Sequence, residues 1–141
     1  MRNLTIKSQE GRPRLSEAAV RVLGENGERR FQEFAEYETG WNMGQGKALS
    51  IRSVALLERF LHEVPELADC SPSLFLSSEG NLELGWEDDR GNVIEIEFGP
   101  DHISYYIESL SEDRSVPLEV LPHFIERIKL LIANASPTVS N

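Results

Sequence analysis

Disulfides play no part in holding this chain together, because its 141 residues contain one cysteine, Cys70. A lone thiol suits a reducing compartment, and a cytoplasmic location is expected. Long hydrophobic runs are also missing. No apolar stretch approaches the ~20 residues that span a bilayer, so no membrane partner is expected. The opening residues, MRNLTIKSQEGRPR, are partly basic but lead into no apolar segment, which argues against a secretory signal. Basic charge is scarce: 14 Lys and Arg stand against 24 Asp and Glu, for a formal net charge of −10. Binding DNA or RNA requires phosphates to be neutralised by Lys and Arg, so direct nucleic-acid binding is not expected. The three histidines, His62, His102 and His123, lie far apart in sequence. Glu58 and His62 stand one helical turn apart, a spacing that suits a surface pair better than a metal site. There is no G-x-S-x-G elbow and no C-x-x-C pair. No catalytic residue, metal or cofactor is therefore assigned.

What is present is enough for one packed domain. Forty per cent of the residues are hydrophobic, and a chain of this length can bury about two-thirds of its unfolded surface. Residues 1–14 and 134–141 are polar and expected to be flexible, with a short edge strand conceivable at Leu4 and Ile6. Ser16 is placed to cap a helix from Glu17 to Leu23, closed by Gly24 and a Glu25-Asn26-Gly27 turn. A second helix is expected from Glu28 to Tyr37, so that helix occupies about 16–37. Ser50 caps the next, about 51–63, with Val54, Leu57, Leu61 and Val64 on its buried face and Pro65 as its stop. A last helix, about 122–133, carries Leu121, Ile125, Ile128 and Ile132.

Between these helices the period changes from 3.6 to 2. Leu82, Leu84 and Trp86 alternate with Glu83, Gly85 and Glu87. Ile94, Ile96 and Phe98 alternate with Glu95 and Glu97. Ile103, Tyr105 and Ile107 alternate with Ser104, Tyr106 and Glu108. Turn residues separate the runs, as in an antiparallel meander with one wet face. A sheet of about four strands is expected over about 73–108, followed by a polar loop at 109–116. The fold class is α+β, an antiparallel meander with helices packed on one face.

The charge is concentrated in this sheet. Residues 73–113 hold eleven acidic side chains and one basic one, Arg90. Alternation sorts Glu83, Glu95, Glu97 and Glu108 onto the wet face together with Tyr106. Such a face is either ordinary solvated surface or a docking surface for a basic protein, with charge steering the encounter. Tyr106 and Trp41 are the expected aromatic anchors. Asp88, Asp89, Gly91 and Asn92 read as hairpin-turn chemistry rather than a cation site.

The loop Gly44-Gln45-Gly46-Lys47 fails as a phosphate loop, because Trp41 occupies a position that needs glycine and Ala48 one that needs Ser or Thr. Its surroundings carry a resemblance instead. The run Gly40-Trp41-Asn42-Met43-Gly44-Gln45-Gly46-Lys47-Ala48 precedes a serine-capped helix, Pro72-Ser73-Leu74-Phe75, Gly80-Asn81-Leu82-Glu83-Leu84-Gly85-Trp86 and an I-E-I-E strand. This order resembles a group of small, mostly uncharacterised bacterial and phage-borne proteins. They have a W-D-G-x-G-A-like loop, a helix, a proline and a G-G-I-x-L-E-W strand that opens a meander. Asn42 replaces the Asp of that pattern, and Met43 and Gln45 also depart from it. The resemblance implies the same fold and, through the mobile or defence-related setting of such genes, a partner-binding role.

The first functional expectation is thus a non-enzymatic protein-binding module, such as an antitoxin, immunity or inhibitor protein, that docks a basic partner through its acidic sheet face. One alternative is a small enzyme or enzyme subunit with a site near the 41–47 loop. Another is a structural domain that self-associates as a homo-oligomer.

Overall fold

The computed structural model describes residues 13–135. The expectations for Leu4 and Ile6 and for the last six residues lie outside that range. Within it the chain forms an antiparallel sheet and three α-helices, an α+β fold built on a meander.

Helix α1 spans Glu17–Glu36. Ser16 caps it, its Oγ accepting from the Ala19 N–H at 3.1 Å. The same serine is held from the side. Its N–H donates to Glu58 Oε2 at 2.8 Å and its hydroxyl donates to Glu58 Oε1 at 2.6 Å. A carboxylate from another helix thus satisfies the cap residue's own donors, the task a local Glu has in a capping box. Gly24, with φ 76° and ψ −179°, breaks the helix where a stop is expected. Only glycine takes that backbone conformation readily. The expected Glu25-Asn26-Gly27 turn does not follow, because the helix resumes directly after the break.

Helix α2 spans Ile51–Glu63, and Ser50 caps it by accepting from Ser53 N–H at 3.2 Å. Val54, Leu56, Leu57, Phe60 and Leu61 are buried along it. Pro65 ends it and starts a short 3-10 helix, Pro65–Cys70, whose Leu67 is fully buried. The buried hydroxyl of Ser53 accepts from the Leu82 N–H at 2.8 Å, which ties α2 to the sheet.

The sheet runs in sequence order through β1 (Ser73–Leu76), β2 (Leu82–Glu87), β3 (Val93–Phe98), β4 (His102–Ile107) and β5 (Glu112–Pro117). Leu84, Ile96 and Tyr105 are aligned across the three central strands. All nine residues expected on the dry face, from Leu82 to Ile107, are buried. Phe60 of α2 packs on Phe98 with ring centroids 5.4 Å apart and the rings tilted by 56°. The final helix, α3 (Leu121–Ala135), sets Phe124 against Tyr105 at 4.7 Å. Asn134 and Ala135, expected in a flexible tail, complete α3 instead.

The fifth strand corrects the expected polar loop at 109–116. Its sequence, EDRSVP, has almost nothing to bury. Polar bonding replaces apolar burial: Arg127 of α3 forms a bidentate pair with Glu112, at 2.7 Å and 2.9 Å. Tyr105 donates its hydroxyl to the same carboxylate at 2.8 Å. These bonds, Arg127 first, hold the Glu112 carboxyl down at about 2. A second tie crosses the other end of the sheet. Lys47 N–H donates to Ser78 O at 2.8 Å and Ser50 N–H to Gly80 O at 2.9 Å, fastening the α1–α2 loop to the β1–β2 turn.

Arg127→Met removes the bidentate partner of the half-buried Glu112 and leaves it only the Tyr105 hydroxyl and Arg114, at a cost on the order of 2 kcal/mol at pH 7. Glu112 has a depressed folded pKa, so its stabilisation is complete above the ordinary glutamate value of about 4.3 and is lost as pH falls toward 2. In urea denaturation, the gap between native chain and variant should therefore close across that window; a gap independent of pH would refute the assignment. Gly80→Ala places a Cβ 2.3 Å from Ala48 O at φ 83°. A loss of about 1–3 kcal/mol is expected from thermal unfolding.

Candidate functional site

The side of the sheet opposite the buried residues carries two rows of side chains, set by strand register. One row is Phe75, Glu83, Glu97, Ser104 and Ser115. The other is Ser73, Gly85, Glu95, Tyr106 and Asp113. Directly opposed side chains on neighbouring strands have Cβ atoms about 4.5–5.5 Å apart. Glu83 and Glu97 are such a pair, and Glu95 faces Tyr106. Gly85 has no side chain, so the second row is open between Ser73 and Glu95. Phe75 and Glu95 stand over that gap, their atoms 3.5 Å and 3.8 Å from where a Cβ would be.

A shallow depression of about 390 Å³ lies among Glu83, Glu95, Glu97, Tyr106 and Asp113. Its charge is uncompensated: among the described residues no Lys, Arg or His forms an ion pair with any of these four carboxylates. Glu97 Oε2 accepts from the Asn81 side-chain amide at 3.0 Å. Glu83 is half-buried between Phe75 and Glu97. Burial first, and then the charges of Glu97 and Glu95, push its carboxyl above the usual range. Two aromatic rings break the acidic surface, Phe75 at 43% exposure and Tyr106 at 36%. Arg30 of α1 stacks over Phe75, 5.2 Å from the ring centroid, and donates its Nε–H to Leu74 O at 2.7 Å.

The fold thus brings together Glu83, Glu95, Glu97 and Tyr106, and adds Asp113 and Phe75. Glu108 is set apart from them. It opens a 3-10 turn after β4, and its Oε1 accepts from the Val93 N–H at 2.7 Å. Trp41 does not line the depression either. It belongs to the α1–α2 loop, where its ring packs on Tyr37 at 5.2 Å and its indole N–H donates to Lys47 O at 2.7 Å. The same loop closes on itself through Gly40 N–H to Gly46 O and Asn42 N–H to Gln45 O, both 2.7 Å. These bonds give Trp41 a structural task and pair backbone groups around it.

The remaining candidates sort into local chemistry. Glu58 serves Ser16 rather than His62. Asp88 Oδ1 accepts from the N–H groups of Arg90 and Asn92, both at 2.9 Å, as a hairpin turn requires. Asp101 bonds the His102 ring at 2.8 Å, which lowers the Asp101 carboxyl. Burial and Asp69 raise the Cys70 thiol, so it is a poor nucleophile. Among the described residues no group of three or more His, Cys, Asp or Glu side chains is placed to hold a metal ion. None of their helices is long and apolar enough to cross a membrane. No protein-family model, curated protein or solved structure matches the chain.

The strain on Glu83 is measurable. Because its folded pKa is raised, ionising it destabilises the fold: stability falls as pH rises through the unfolded value and levels off above the folded one. Glu83→Gln should stabilise the protein by about 0.2–1 kcal/mol at pH 7, with the gain vanishing near pH 3. Paired urea titrations at the two pH values test this, and a variant less stable at pH 7 would contradict it.

Proposed function

We propose that the protein is a non-enzymatic binding module that receives a basic protein partner on the outer face of β2–β4. The reading rests on one observation: Glu83, Glu95, Glu97 and Asp113 share a face on which no cation among the described residues pairs with them, and burial and the neighbouring carboxylates raise the Glu83 carboxyl. A Lys or Arg from a partner would relieve the repulsion between Glu83 and Glu97 as it docked, so the binding free energy would include the removal of existing strain. Phe75 and Tyr106 add exposed aromatic area of the kind that concentrates interface energy. Arg, Lys and aromatic side chains in the partner would be the complementary set. Antitoxin, immunity and inhibitor proteins work by contacts of this type, and a cytoplasmic setting belongs to the same reading.

The test is retention of a partner from host extract on immobilised protein, eluted with a salt gradient. A specific partner should be held by the native chain, leave as ionic strength rises, and be lost on Glu95→Lys/Glu97→Lys. Truncating the rings, Phe75→Ala and Tyr106→Ala, should weaken the purified pair by about tenfold or more. Equal retention by native and charge-reversed protein would end the proposal.

A further inference from the structure

A second concave surface lies on the other side of the molecule, away from the acidic sheet face. It is bounded by the 3-10 helix Pro65–Cys70, the β2–β3 turn and the last turns of α3, and encloses about 510 Å³. Trp86, Ile94, Leu131 and Ile132 supply apolar walls. Glu66, Asp69, Glu87, Asp88 and Asp89 ring them. Among the described residues Lys129 is the one cation lining the groove, and it is already engaged. Its Nζ donates to Glu63 O at 2.8 Å and lies 3.8 Å from Glu66 Oε2. Among the described residues, Asp69, Glu87 and Asp89 line the groove with no counter-charge inside it, while Asp88 is engaged by its own turn.

An apolar interior beneath an acidic rim matches one kind of chemistry. Lys and Arg have aliphatic stems that lie on apolar surface while the charged head reaches a polar boundary. Leucine-type side chains fill what the stems leave. The geometry points to a second docking groove, which takes a short peptide segment of a partner protein in which Lys or Arg alternates with aliphatic residues. The assignment does not depend on the sheet face: the two surfaces share no lining residue. Together they would let one module grip a basic protein at two places, and linked contacts raise affinity through effective concentration.

Titration of the full chain with a lysine–leucine alternating hexapeptide, followed by NMR, tests the groove. Saturable shifts are expected at Trp86, Ile94 and Ile132. Affinity should fall about tenfold with Glu87→Lys/Asp89→Lys, through loss and reversal of two rim charges. Ala133→Trp, an exposed helix position lining the groove, should block binding by occupying the space, and a retained fold would be confirmed from the same spectra. Glu95→Lys/Glu97→Lys should leave the hexapeptide affinity unchanged, which separates this groove from the sheet face. An all-lysine hexapeptide binding as tightly would overturn the inference, because charge alone would then explain the contact. So would shifts confined to β2–β4 outer-face residues, or indifference to both groove variants. Contacts from residues 1–12 to Trp86 in the free protein would also overturn it, by making the chain's own basic segment the occupant.

Discussion

Register is the constraint on which this structure depends. Leu84, Ile96 and Tyr105 align across the central strands, and their neighbours Glu83, Glu97 and Ser104 align on the reverse side. A slip of one residue in β3 would carry Glu95 and Glu97 into the core and Ile94, Ile96 and Phe98 into water. Burying unpaired carboxylates costs several kcal/mol each, far more than the few tenths lost by leaving Glu83 opposite Glu97 in half-exposed surroundings. The like-charge contact is therefore the cheaper of two arrangements for this sequence, and the core enforces it. The acidic face follows from the dry face rather than standing apart from it.

Polar bonds then fix where the helices lie on that sheet. Each major junction has one: Ser53 to Leu82 for α2, Arg127 to Glu112 for α3, and Arg30 to Leu74 for α1. Apolar packing supplies most of the driving force but little direction. A polar bond between a helix and the sheet supplies direction, because a misplaced helix would strand a half-buried donor or acceptor. Ser16 and Glu58 do the same between α1 and α2.

Where the sequence carried a strong period, the fold could be read from it. The buried faces of α2 and α3 and the nine dry-face positions of β2–β4 show themselves through spacing alone. The caps at Ser16 and Ser50 show through residue type. β5 could not be read this way, since EDRSVP has no alternation and its place depends on Arg127, which lies far along the chain. Glu108 looked like a face residue by parity, but the strand ends before it and its carboxylate turns to Val93 N–H. Trp41 looked like an anchor by type, but its N–H and ring are consumed within its own loop. Phe75 is legible by the same parity: in a strand where Leu74 and Leu76 point inward, the residue between them must point out. Asp113 needed β5 to be recognised first.

Arg30 has one more consequence. β1 is the first strand of the sheet, and its free side is where an incoming strand from another molecule would attach. The guanidinium already occupies the Leu74 carbonyl, and its plane covers Phe75 and Phe34. A foreign strand laid alongside would have to displace that group and forfeit a hydrogen bond at the centre of a four-residue segment. A single cation borrowed from a helix thus acts as a stopper against fibre-like growth from this margin.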